Sequence, residues 1–154
     1  MPDAKDLKGK TGLKRLANAF LYSKDGFAAA YRSEEAFRQE FWLLVVGSVI
    51  AILLPVSLMQ TVALIAALLF LLIVEILNSA IEAAIDRIGV EIHPLSKRAK
   101  DMGSCAVLMA CAMAALVWIS ILADCILTDS PSVNNCFSAR QLEIENSRTA
   151  YKNR

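Results

Sequence analysis

Two stretches of this 154-residue chain contain no charged side chain, Phe41 to Val74 and Met102 to Ala123. A bilayer hydrocarbon core about 30 Å thick is crossed by roughly 20 predominantly apolar residues in a helix. The second stretch matches one crossing. The first would extend about 51 Å as a single helix at 1.5 Å per residue, too long for one comfortable passage. Pro55 removes a helical hydrogen bond and clashes with the preceding turn, so Pro55-Val56-Ser57 divides that stretch in two. Three spans follow, over 34–54, 58–88 and 97–127. Neither stretch offers the polar face that a surface helix of a soluble protein needs. Hydrophobic residues make up 56% of the chain, against about 45–50% in soluble domains, and a soluble helical core protein is set aside. The N-terminus does not read as a secretory signal, because the first apolar run begins only at Phe41 and no small-residue cleavage site follows it.

The net charge of +1 says little, but its distribution sets an orientation. Lys5, Lys8, Lys10, Lys14, Arg15, Lys24, Arg32 and Arg38 precede the first span, and Arg87, Lys97, Arg98 and Lys100 surround the link between the second and third. The turn from Pro55 to Gln60 has neither Lys nor Arg. Positive residues stay on the cytoplasmic side, which puts the N-terminus and the second link in the cytoplasm and the C-terminus outside.

Residues 1–12 are polar and read as a flexible leader. Over 13–32, Leu16, Ala17, Phe20, Leu21, Phe27, Ala28 and Tyr31 recur at helical spacing, interleaved with Lys14, Arg15, Asn18, Lys24 and Asp25. That pattern predicts an amphipathic helix lying on the membrane surface, with Gly26 as a point where it can break. Ser33, followed by Glu34 and Glu35, predicts an N-cap for the first span. The fold class is therefore an all-α integral membrane domain over 13–127, with a polar C-terminal tail over 128–154. Cys105, Cys111 and Cys125 fall in or at the end of the third span without metal-ligand spacing and read as small apolar fillers. Nothing in the spacing supports a Cys125–Cys136 bridge.

The second span ends in a polar stripe. With Glu75 at zero and about 100° per residue, Asn78 falls near −60°, Ser79 near +40°, Glu82 near −20° and Asp86 near +20°. All five share one face, opposite Ile, Leu and Ala. Glu75 stands eleven residues from Asp86, about 16 Å along the axis, and so lies inside the inner leaflet. A carboxylate in hydrocarbon costs at least about 2.5 kcal/mol on insertion scales, so the stripe must face protein, water, metal or substrate. A polar seam between helices and a proton path of a proton-coupled transporter are the competing readings. Against the path, the positions above Glu75 are Leu71, Leu68 and Leu64, with nothing to relay charge outward. A half-depth site open to the cytoplasm suits chemistry on a lipid headgroup.

Other polar groups converge on that level: Glu34 and Glu40 at the base of the first span, Glu91 and His93 in the link, Lys100 and Asp101 at the start of the third. Carboxylates from two helices can hold Mg²⁺ together with phosphates, and Lys100 and Arg15 can meet phosphate charge. Metal, cations and a base near the acceptor are the parts that phosphoryl transfer uses. From spacing alone, His93 before Pro94 reads as a turn residue. Ala4-Lys5-Asp6-Leu7-Lys8-Gly9-Lys10-Thr11 matches a relaxed phosphate-loop pattern, but without the strand and sheet such a loop needs it is a chance match.

Glu75-Ile76-Leu77-Asn78-Ser79-Ala80-Ile81-Glu82-Ala83, then Asp86-Arg87-Ile88-Gly89, His93 and Ala99-Lys100-Asp101-Met102-Gly103-Ser104, resemble the signature of the prokaryotic membrane-integral diacylglycerol kinases. Glu34 with Ala36-Phe37-Arg38-Gln39-Glu40 resembles a second block of that family. The resemblance covers 13–127. It implies a homotrimer of three-span subunits, with sites between subunits and ATP and Mg²⁺ as co-substrate and cofactor. It further implies Glu75 as the base that deprotonates the primary hydroxyl of diacylglycerol, supported by Asn78, and Glu34 and Glu82 as the Mg²⁺ ligands. Arg15, Tyr22, Glu91, His93, Lys100 and Asp101 would contact the nucleotide, which raises His93 from turn residue to ATP contact. Ala36, Gln39, Glu40, Ser104 and Trp118 would line the lipid side with Glu75. Lys24-Asp25 departs from better-known members, which carry an aromatic and then a basic residue there. A branch of the family acts on undecaprenol, but Arg87-Ile88-Gly89 and Lys100-Asp101-Met102-Gly103-Ser104 are more similar to the diacylglycerol branch.

Overall fold

A computed structural model describes residues 13–88 and 93–128. The leader, Glu91, Cys136 and the tail from Asp129 lie outside the described residues. Among the described residues there are four helices: α1 (Leu13–Ser33), α2 (Glu35–Leu53), α3 (Leu58–Asp86) and α4 (Pro94–Thr128). The last three are long and apolar enough to cross a membrane. The central helix α3 packs against both α2 and α4, and α1 packs against α2.

Side-chain burial is distributed as lipid solvation requires. A thin seam that includes Leu64, Ala67, Leu68, Leu71, Leu72, Ala110 and Ala114 is buried between the spans, while Trp42, Val46, Phe70, Ile73, Leu108 and Leu116 are exposed. In water such an apolar surface would drive association; in a bilayer it costs nothing. Small residues set the spacing of the seam. Gly47 of α2 faces Leu68 of α3 and comes within van der Waals reach of the Trp118 ring on α4, with no room for a Cβ. The Trp118 indole N–H donates to the Leu64 carbonyl at 3.2 Å, which satisfies a donor that would be costly to leave unpaired in an apolar interior.

The helix ends refine the expectations. Pro55 does sit in the α2–α3 turn, and α3 opens with a capping box: Gln60 N–H donates to Ser57 Oγ at 3.3 Å, and Ser57 N–H donates to Gln60 Oε1 at 2.9 Å. Ser33 does not cap the first span. It is the last residue of α1, and its hydroxyl donates back to the Ala29 carbonyl at 2.9 Å. Glu34 takes the cap position instead, with extended backbone and no side-chain cap bond. It is the single residue between α1 and α2: its N–H still bonds Ala30, and its carbonyl already receives the Arg38 N–H. No break occurs at Gly26. A glycine in a helix interior costs only about 1 kcal/mol relative to alanine, which the packing beyond it offsets. The third span begins at Pro94, three residues earlier than predicted, because proline at a first helical position forfeits a donor that has no partner there anyway.

Candidate active site

The elbow at Glu34 is held by two devices. Arg38 donates to the Tyr31 and Arg32 carbonyls at 3.3 and 3.2 Å, capping carbonyls that the end of α1 leaves without helical partners. Beneath it Phe27 meets Phe37 and Phe41 edge-on at 5.3 and 5.6 Å, and Tyr31 meets Phe41 at 5.6 Å. Phe37 is completely enclosed, packed with Ala30 and Leu72. These contacts lay the C-terminal half of α1 along α3. A cavity of about 220 Å³ remains between them, lined on one side by Gly26, Ala29, Ala30, Ser33 and Glu34, and on the other by Ile76, Ser79, Ala80 and Ala83.

The polar stripe of α3 faces inward from Glu75 to Glu82, as its helical phase predicts, while Asp86 at its end is exposed. Glu75 and Ser79 are the two buried polar side chains among the described residues. Glu75 interacts electrostatically with Glu82 on its own helix and with Glu34 at the elbow. Glu40, one helix over, also acts on Glu75, and one of its oxygens is enclosed with no hydrogen-bond partner. Asn78 donates through Nδ2 to Glu82 Oε1 at 3.2 Å. Its Oδ1 is enclosed and unpartnered, turned toward Gly103 of α4.

The sequence-predicted residues separate into groups. Glu34, Glu40, Glu75, Asn78 and Glu82 come together. Lys100 joins the edge of the cluster: its ammonium pairs with Asp86 at 2.6 Å and interacts with Glu82. Asp101 turns aside to Lys97 at 2.7 Å. His93 accepts the Leu95 N–H on Nδ1 at 3.2 Å while its carbonyl receives the Lys97 N–H, so it serves as the cap of α4. Arg15 and Tyr22 are exposed on the far half of α1; nineteen positions separate Arg15 from Glu34, about 28 Å along the helix, so within one chain it does not reach the cluster. Ala36, Gln39 and Ser104 are exposed on α2 and α4, with Gln39 donating to Glu35 at 3.4 Å.

One feature had no signal in the residue pattern, because every residue in it is apolar or small; the family resemblance singled out Trp118 alone of its lining. A groove of about 320 Å³ runs between α2, α3 and α4, lined by Leu43, Gly47, Leu71, Cys111, Ala115 and Trp118 among others. Its lower rim lies one helical turn beyond Glu40 on α2 and one turn beyond Glu75 on α3. Cys111 on this wall interacts electrostatically with both carboxylates. Cys105, Cys111 and Cys125 carry free thiols, in keeping with their reading as fillers.

Donor chemistry bears on a metal. Among the described residues no group of three or more His, Cys, Asp or Glu is placed to hold one. Mg²⁺ bound to a nucleotide needs less, since one or two carboxylates complete a shell supplied by phosphates and water. Glu34 and Glu82 both act electrostatically on Glu75, and their chemistry, though no contact between them, suits that smaller requirement.

Fold and site together define a helical protein with three helices apolar and long enough to cross a membrane, an acidic, hydroxyl- and amide-bearing cluster on its central helix, and an apolar groove beginning about one helical turn away. Residues 21–122 match the family model of the prokaryotic diacylglycerol kinase. The chain is 54% identical over 115 residues to a diacylglycerol kinase of Pseudomonas aeruginosa, covering 75% of this chain and 94% of that one. It is 50% identical over 112 residues to a diacylglycerol kinase of Escherichia coli K12, covering 73% and 92%. A diacylglycerol kinase of Helicobacter pylori J99 is 40% identical over 118 residues, covering 77% and 92%. The chain belongs to the prokaryotic diacylglycerol kinase family, a family of membrane lipid kinases.

Proposed function

We propose that this protein transfers the γ-phosphoryl group of ATP to 1,2-diacylglycerol, giving phosphatidic acid and ADP, at the cytoplasmic face of a bacterial inner membrane. The observation that carries the reading is a buried carboxylate, Glu75, one helical turn along α3 from Leu71 in the wall of an apolar groove. A diacylglycerol pairs one primary hydroxyl with two acyl chains. With the hydroxyl at Glu75, an acyl chain enters the groove between Leu43 and Trp118. Four residues of α2, Leu43, Val46, Gly47 and Ile50, line it, and the seven steps from the first to the last span about 10 Å of depth.

In this reading Glu75 accepts the hydroxyl proton as the oxygen attacks the γ-phosphorus. The new O–P bond forms, the bond from the γ-phosphorus to the bridging oxygen breaks, and ADP leaves. Burial keeps water from competing as acceptor. Asn78 holds Glu82 through its amide, and Glu34 reaches the same level from the elbow. These two carboxylates would hold Mg²⁺ with the ATP phosphates, where the ion would neutralise developing charge. Lys100, at the edge, supplies a cation that can exchange Asp86 for phosphate. The family's trimeric assembly fits the exposed apolar face of α3 (Leu69, Phe70, Ile73, Leu77), and a neighbouring subunit's surface helix would bring Arg15 and Tyr22 to a site their own chain does not reach. Glu91 and His93, Asp101 and Ser104 complete the proposed nucleotide and lipid contacts.

Purified protein in mixed micelles, given radiolabelled ATP and either diacylglycerol or undecaprenol, tests the proposal. Label in phosphatidic acid that depends on Mg²⁺ is expected. Label only in undecaprenyl phosphate would move the substrate to the other branch of the family. Potential-driven proton flux without ATP turnover would replace the enzyme reading with a transporter.

A further inference from the structure

We infer that Gly103 is a positioning residue for the reaction proposed above, acting on Asn78 and through it on Glu82. The inference rests on that reading and adds a residue from a helix that otherwise contributes no member of the acidic cluster.

The argument begins with the two ends of one carboxamide. The nitrogen of Asn78 donates to Glu82 Oε1 at 3.2 Å. The opposite orientation would set two oxygens against each other, so Glu82 dictates which end faces it. The oxygen end must then point away, and it points to α4, where it is enclosed without a hydrogen-bond partner. Gly103 is the residue it meets. A Cβ built at position 103 would overlap Asn78 Oδ1 and lie 3.3 Å from its Cγ. The buried α4 backbone at Gly103 therefore gives the carboxamide oxygen its seat, and any larger residue occupies that seat.

An enclosed amide oxygen with no partner is costly, so the bond from the nitrogen end to Glu82 alone holds Asn78 in this rotamer. The space left by a residue without a side chain at 103 is what permits it. The contact is with the tip of a flexible side chain, so a methyl at 103 displaces Asn78 rather than the helix. Displacement breaks the bond to Glu82 and frees that carboxylate to turn toward Lys100, with which it already interacts. Fold and lipid groove, lined by other residues of α4, are left in place. The consequence is selective for the Glu82 end of the site.

Gly103→Ala, Asn78→Ala and the double variant test this with two readouts. The first is Mg²⁺ dependence of diacylglycerol phosphorylation. The second needs no turnover: binding of Mn²⁺ with a non-hydrolysable ATP analogue, followed by the resonance of the free ion. Gly103→Ala should keep its helical circular dichroism and its KM for diacylglycerol. Its half-saturating Mg²⁺ concentration and its Mn²⁺ dissociation constant should rise by roughly tenfold, the scale of a lost hydrogen bond to a charged group. In the Asn78→Ala background, where the carboxamide is gone, adding Gly103→Ala should change Mn²⁺ affinity less than about twofold. Unchanged Mn²⁺ affinity in Gly103→Ala would overturn the inference. So would an equal loss in both backgrounds, which would assign Gly103 to α3–α4 packing alone. Wild-type protein that phosphorylates no diacylglycerol would instead overturn the reading on which the inference rests.

Discussion

Replacing Glu75 with glutamine should yield a protein that is more stable and nearly inactive. Glutamine keeps the volume of a side chain only 5% exposed, so no cavity forms. It removes a charge that has Glu82 and Glu34 as repelling neighbours. Insertion scales set the cost of a charged residue at depth at about 2.5–3.5 kcal/mol; with partial hydration from the cytoplasmic side, a gain of about 1–2 kcal/mol is expected. Activity moves the other way. A positioned general base contributes about 10²- to 10⁴-fold, so turnover should fall by that factor, equivalent to about 2.7–5.4 kcal/mol in the barrier. Turnover with saturating ATP and diacylglycerol, and resistance to unfolding by SDS in mixed micelles, measure the two effects on one preparation. Near wild-type turnover would refute the base assignment. Loss of stability would refute the electrostatic argument and make Glu75 a structural member of a polar seam.

Glu34→Gln and Glu82→Gln should each raise the Mg²⁺ concentration for half-maximal activity by about tenfold or more, by analogy with the cost of losing a charged partner; an unchanged Mg²⁺ titration would remove them from the metal site. Ala115→Phe, which fills the groove from the α4 side, should raise KM for long-chain diacylglycerol by roughly 5- to 100-fold, matching an overpacking cost of about 1–3 kcal/mol. KM for ATP should stay constant in that variant, and equal changes in both constants would show that the groove is not the chain's seat. Ser57→Ala breaks the capping box of α3 far from the site and should cost about 1 kcal/mol in unfolding with turnover intact.

The three spans were legible in the sequence because hydrocarbon imposes a length and forbids charge, and both conditions can be checked residue by residue. The inward stripe was legible for the same reason: Glu75, Asn78, Ser79, Glu82 and Asp86 share one phase of one helix, and phase needs no partner to be computed. Helix boundaries were less so. Ser33 carried a plausible cap signal, yet Glu34 took the cap, because Arg38 and the Phe27–Phe37–Phe41 cluster draw α1 to its last residue before the chain turns. Ser57-x-x-Gln60 carried a capping-box signal that the proline beside it obscured.

What the sequence determined by itself was therefore one-dimensional: three helices apolar and long enough to cross a membrane, basic residues before the first and around the link between the second and third, an acidic face at one end of α3, and, through its motifs, a family. Tertiary structure decided what those residues meet. Glu34 joins Glu75 only because the elbow folds α1 back along α3. The groove exists only where Gly47, Cys111, Ala115 and Trp118, apolar or small residues with no distinguishing pattern, line the same gap. Gly103 acquires a role only when the α3–α4 crossing brings its bare backbone against Asn78. Periodicity along one helix is written in the order of its residues, whereas contact between helices depends on a crossing angle and register that the whole bundle sets together.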